Sequence, residues 1–231
     1  MTVLAAAQQA APLMGMTAPA SLVSATDSYA RELLAIANEA APAIAKAHDW
    51  RKLTVLNTIA GDGAATAFNL PTNYDRMPIK AAVFSSRSRL PLSQVDDLDT
   101  WLDLELQGFV GTLGAWIMLG GQIHIRPTLA VGENAKFYYI SNETVSSTLG
   151  ALKTAFTLND DVYRLSERLL GLFMAWRWRQ VKGLDYAEDL QNYQIAFGEE
   201  AGRDKGARII KVGTPRMSAD VAMAWPGTIV P

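Results

Sequence analysis

Apolar residues change their spacing twice along this chain, and that alternation restricts the fold more than any single motif does. From Thr26 to His48, Leu33, Ile36 or Ala37, Ala40 and Ile44 recur at steps of three and four, which is one face of a helix. From Lys52 to Ser147, β-favouring residues such as Leu53, Val55, Ile79, Val83, Ile117, Ile123, Ile125, Phe137 and Tyr139 arrive in short runs. Turn signals separate them at Gly61-Asp62-Gly63, Gly120-Gly121 and Val131-Gly132-Glu133-Asn134. After Asn159 the helical step returns. This order predicts an α+β fold: a helical bundle made of a long N-terminal helix (26–48) and a C-terminal helix hairpin (160–201), with an antiparallel β region (52–147) inserted between them.

In the last third, Asn159 or Asp160 is placed to cap a helix with the stripe Val162, Leu165, Leu169, Leu172 or Phe173, and Trp176, which Gly183 would end. Asp185 and Glu188 have capping-box spacing for a second helix, on which Tyr186, Leu190, Tyr193 and Phe197 step by four, three and four until Gly202. So short a link makes the two a hairpin, and the Ala-rich first helix is its natural third member. The expected bundle core is Leu33, Ile44, Leu165, Leu169, Trp176, Leu190, Tyr193 and Phe197. Pro42 is expected to kink or break the first helix.

The two ends differ from this body, which spans 26–206. Residues 1–25 are rich in Ala, but the first basic residue is Arg31 and Pro12, Gly15 and Pro19 interrupt the apolar run, so a secretory signal does not fit. A mobile or loosely helical arm does. Residues 207–231 carry Pro215, Pro226 and Pro231 and no helical period. From Arg203 onward five basic residues stand against two acidic ones, a local charge of +3 in a chain of −2. Such a tail is expected to take its order from a partner, with Ile209, Val212 and Trp225 as apolar anchors and Lys211 and Arg216 as longer-range attraction.

Composition removes several function classes. With 21 basic against 23 acidic residues, the chain lacks the electrostatic footprint that grips nucleic acid or an acidic membrane, so DNA would pass it without specific binding. No cysteine is present and His48 and His124 are the only imidazoles, so neither a metal nor another cofactor is expected. No uninterrupted apolar run reaches the ~20 residues of a membrane span.

The remaining motifs read as structure. Gly108, Gly111 and Gly114 match neither a dinucleotide fingerprint nor a P-loop and suit turns. Val95–Leu106 reads as a short acidic helix with Trp101 and Leu102 turned inward and Asp96, Asp97, Asp99, Asp103 and Glu105 outward. Those carboxylates are the only basis for a remote hydrolase alternative; a solvated acidic face, candidate for a channel lining, is preferred. Alternation in Gln122-Ile123-His124-Ile125-Arg126 puts His124 on the polar face, with no nucleophile beside it in sequence. Trp176-Arg177-Trp178-Arg179 suggests a core and interface helix rather than a nucleic-acid stacking platform. The chain is not expected to be an enzyme.

The order of motifs resembles one family. His48-Asp49-Trp50 with Leu53, then Leu70-Pro71-Thr72-Asn73-Tyr74-Asp75-Arg76, then Gly120 through Pro127, then Phe137-Tyr138-Tyr139, look like the head-tail connector adaptors of tailed bacteriophages. The closing set is Asp160-Asp161, Arg168-Leu169-Leu170, Trp176-Arg177-Trp178 and Lys182 through Asp189, ending near Arg203-Asp204. The resemblance covers about Ser28 to Ile210, and the order of the motifs carries it. It implies a structural virion protein made in the host cytoplasm: a helical bundle with a β insertion, assembled as a homo-oligomeric, commonly dodecameric, ring. That ring would sit at the head-tail interface between the portal protein and the next neck or tail ring, with no catalytic residues. Another neck or tail-completion protein is the alternative in the same class.

Overall fold

The computed structural model describes residues 2–88, 90–107 and 114–205. Two helices come first, α1 (Val3–Leu13) and α2 (Ser28–Ala47). Strands β1 (Thr54–Ala60), β2 (Ala67–Asn69), β3 (Tyr74–Arg76), β4 (Phe84–Ser85) and β5 (Ser93–Gln94) lead to helix α3 (Leu98–Gln107). Then follow β6 (Ala115–Leu119), β7 (Gln122–Arg126), β8 (Asn134–Ser141), β9 (Val145–Ser146), β10 (Leu152–Lys153) and β11 (Val162–Tyr163). The helices α4 (Glu167–Val181) and α5 (Ala187–Lys205) close the described chain. The fold is mixed α+β, with three small sheets in place of the single antiparallel one expected: β1-β8-β3 with β4 also on β8, β2-β7-β6-β5, and β10-β9-β11. One pair, β5 with β6, is parallel.

Helix α4 is the centre of the helical part, since α1, α2 and α5 all pack against it. Leu33, Ile44 and Leu169 are fully buried there, Leu165 is buried, and Trp176, Tyr193 and Phe197 lie partly buried against the same cluster. Leu190 is half-buried and outside it. Because α4 is covered on three sides, its buried surface is wider than one stripe and is centred on Leu170, Phe173, Met174 and Trp178. Trp176 instead faces the start of α5, its ring 4.9 Å from Phe173 and 6.4 Å from both Tyr186 and Tyr193.

Four expectations change. The first 25 residues are not an arm: Val3, Ala6, Ala7, Ala10 and Ala11 are buried, and α1 packs on α4. Those positions are i, i+3, i+4, i+7 and i+8, and small side chains there let two helices approach closely. Gly171 on α4 shares the same contact, for a Cβ on it would lie 3.8 Å from the Ala6 carbonyl oxygen. Second, α2 runs through Pro42 without a break. Third, α4 begins at Glu167 and not near Asp160, because Val162 and Tyr163 are taken as a strand by β9. Fourth, Gly202 lies inside α5, which continues to Lys205. Gly183 does end α4: at φ +69° its N–H bonds to Gln180 O while Leu184 N–H reaches Arg179 O at 2.9 Å, the two bonds of a Schellman cap.

The β part has its own core, with Ile123, Ile125, Leu129, Ala135 and Phe137 fully or almost fully buried. Gly120 and Gly121 join β6 and β7 with φ of 56° and 77°, as a two-residue hairpin with both φ positive requires.

Candidate interaction surfaces

The motif residues of the two parts converge where α2 ends. Arg76 closes β3, and its Nη2 donates to Ala45 O at 3.1 Å, His48 O at 2.9 Å and Asp49 Oδ1 at 3.1 Å. Its Nη1 donates to Asp75 Oδ2 at 2.6 Å, and Asp49 Oδ2 accepts from Ile79 N at 2.8 Å. Trp50, buried, donates its indole N–H to Ile44 O at 2.9 Å and meets Phe197 of α5 edge-on. Asp204, at the end of α5, accepts from Arg51 N at 3.1 Å and lies 3.3 Å from His48 Nε2. Arg164 donates to Glu143 O and, at 3.0 Å, to Lys52 O. Thus His48-Asp49-Trp50, Asp75-Arg76 and Asp204, far apart in sequence, form one junction between helices and sheets. Such a junction fixes the orientation of the insertion relative to the helices. The open groove beside it, about 810 Å³, is lined by Lys46, Arg51, Arg76, Ile79 and Lys80 among others.

A second polar knot holds the N-terminal segment. Asn159 Oδ1 accepts from Leu22 N at 2.9 Å and Val23 N at 3.0 Å, and Val3 N bonds to Asp161 O at 2.8 Å. The Asp161 carboxylate is itself buried and accepts from Thr157 N at 2.7 Å, Leu158 N at 2.9 Å and Lys153 Nζ at 2.8 Å. Burial raises its pKa, but the Lys153 bond and charge and the two backbone donors outweigh that, and the net shift is downward. The pair Asp160-Asp161 is therefore neither a helix cap nor an acid/base couple: one member is exposed and the other is spent on loop structure.

Asp96 and Asp97, just before α3, and Asp99 and Asp103 on it are all exposed. Asp97 caps the helix, accepting from Thr100 Oγ at 2.7 Å and Thr100 N at 2.8 Å, and these bonds lower its pKa, the side-chain bond first. Trp101 is buried, whereas Leu102 is exposed, contrary to the inward orientation expected. The ten-residue helix carries only a narrow inner face: Trp101 and Leu104 pack toward β6, and Leu98, Leu102 and Leu106 lie on the outer side. His124 sits beneath, 6.4 Å ring to ring from Trp101, and Arg126 pairs with Glu105 at 2.8 Å. The Trp-Arg-Trp-Arg run is absorbed by packing: Arg177 pairs with Glu39 of α2, Arg179 bonds Leu13 O and Asp189, and Trp178 is buried.

Ile209, Lys211, Val212, Arg216 and Trp225 lie outside the described residues, as do Gly108 and Gly111. Gly114, at φ +85°, is a close-approach position, since a Cβ would come within 2.9 Å of Arg126 O. Among the described residues, no three His, Cys, Asp or Glu side chains are grouped to hold a metal ion, and no helix is long and apolar enough to cross a membrane.

Comparison with curated proteins finds no match. Comparison with family models finds one that runs through nearly the entire chain, residues 1–224, including the Ala-rich helix that the motif series had left aside. With the match covering α1, both polar junctions and most of the tail, the chain belongs to the SU10 adaptor protein family, a family of phage head-tail adaptors and thus of structural virion proteins.

Proposed function

We propose that this adaptor assembles as a dodecameric ring between the portal protein and the next neck or tail ring, a stopper, terminator or tail protein, and that double-stranded DNA passes through it during genome ejection. The observation that carries the reading is the family match over residues 1–224. The geometry is consistent with it. A body braced by two polar junctions is suited to transmit load between rings, and its near-neutral charge of −2 does not hold passing phosphate. A subunit of a closed ring must fit one of its surfaces to a different surface on the next copy. The tail, with Ile209, Val212 and Trp225 as anchors and Lys211 and Arg216 as charges, is assigned to the portal or the neighbouring subunit. The acidic side of α3, with Asp96, Asp97, Asp99 and Asp103, is assigned to the channel.

The test is binding to purified portal by the full chain and by a chain ending at residue 206. The full chain is expected to join the portal complex, and the shortened one to keep its melting temperature and lose that affinity. Full affinity without the tail would overturn its assignment to the portal, and no binding by either chain would overturn the place beneath the portal.

A further inference from the structure

Strand β1 is a seven-residue strand at the edge of its sheet, paired with β8 along one side only. Every other edge strand among the described residues has two or three residues. Short edges, charges and prolines are the ordinary protections against unwanted strand addition. The run Thr54-Val55-Leu56-Asn57-Thr58-Ile59-Ala60 has none of them. Beyond the β8 ladder, no hydrogen bond among the described residues is made by the backbone of 55–60. On the outer face next to this edge, Leu56 and Tyr138 stand opposite each other, 48% and 55% exposed, with Phe84 at 52%. A long neutral edge beside an apolar face is a template for one more strand.

We propose that residues 208–212 of a neighbouring copy, Arg-Ile-Ile-Lys-Val, add to β1 as an antiparallel strand when subunits assemble. The inference rests on the ring reading above and names the surface that the tail takes on the next subunit. Three of these five residues are β-branched, and alternation sets Ile210 and Val212 on one face, able to lie beside Leu56 and Tyr138. The place where the tail leaves the body discriminates between copies. Asp204 is bonded to Arg51, three residues before β1 begins, so each tail departs beside the start of its own β1. The three steps from Lys205 to Arg208 reach only about 11 Å, whereas the far end of β1 is about 20 Å from its start at ~3.3 Å per residue. Segment 208–212 therefore cannot lie antiparallel on its own β1 with Arg208 opposite Ala60. Antiparallel pairing, the more stable per residue and the kind β1 already makes with β8, takes the tail of another copy.

The absence of native cysteine makes cross-linking a clean test. Particles are assembled from full-length T58C copies mixed with full-length R208C, I210C or V212C copies, the tail positions that alternation sets on the face of Thr58, and then oxidised. A disulfide-linked dimer of the chain is expected for at least one tail position. The doubly substituted free protein, kept dilute, is expected to form no intrachain bond. Particles that contain the chain but give no dimer at any of the three positions would overturn the inference and leave the ring intact. An intrachain disulfide in the dilute protein would overturn it in favour of the chain's own tail. Particles that lack the chain altogether would remove the ring reading and this inference with it.

Discussion

Arg76 Nη2 bonds the Asp49 carboxylate at 3.1 Å and at the same time caps the carbonyl end of α2 at Ala45 and His48. One guanidinium thus ties a strand of the insertion to the last turn of a core helix, where a cation is also favoured by the helix dipole. Arg76→Ala is expected to cost about 1.5–3 kcal/mol in urea unfolding, the usual range for bonds to a charged partner. Arg76→Lys should recover little, because one ammonium cannot reproduce the fork. Equal stability of wild type and Arg76→Ala would show that the junction does not brace the insertion.

Leu169 is fully buried on α4 and Leu102 is 52% exposed on α3. Leu169→Ala is expected to remove about 2–5 kcal/mol, as large-to-small core changes do. Leu102→Ala is expected to stay within about 0.5 kcal/mol of wild type. Thermal unfolding of the two variants side by side checks both numbers.

Asp161 supplies a pH dependence. Its folded pKa lies below the ordinary aspartate value, so its contribution is complete above the unfolded pKa of about 3.9 and is lost as pH falls through the folded value. Asp161→Asn leaves Lys153 and two backbone donors facing an amide and is expected to cost about 3–5 kcal/mol near pH 7, in the range for breaking a buried pair. The difference between wild type and variant should shrink as pH is lowered from 5 toward 2. A constant difference across that window would mean that the carboxylate charge is not what holds the loop.

The ease of reading each element followed the size of its side chains and the range of its partners. The α5 stripe of Tyr193 and Phe197 and the Gly120-Gly121 hairpin are local signals in strong residue types, and both elements exist. The α1 helix was hidden because alanine gives little contrast between faces, although its spacing and the Thr2 cap, which accepts from Ala5 N at 3.2 Å, were there to be used. Val162 fits a helical step with Leu165 as well as it fits a strand, and a distant residue pair, Val145-Ser146, takes Val162 and Tyr163 into a strand. The junction could not be inferred from periodicity at all: His48, Asp49, Arg76 and Asp204 were visible as motif residues, but their meeting depends on tertiary packing.

The acidic face of α3 yields a prediction about ejection. Asp97 caps the helix, and Asn serves as an N-cap equally well, so replacing Asp96, Asp97 and Asp99 together by Asn should change stability by less than about 1 kcal/mol. Under the proposed channel role, losing charges that repel phosphate within ~8 Å at physiological salt should slow DNA ejection. Ejection kinetics of variant particles at wild-type rate would take this face out of the channel.

Twelve copies of this adaptor are proposed to form the ring beneath the portal. A reconstruction of the particle neck tests it most directly. Density is expected for the α4-centred helical body and its sheets in a closed ring in contact with the portal on one side and a further neck or tail ring on the other. Density for this chain only elsewhere in the particle, or a portal whose tail-side surface is occupied by a different protein, would contradict it.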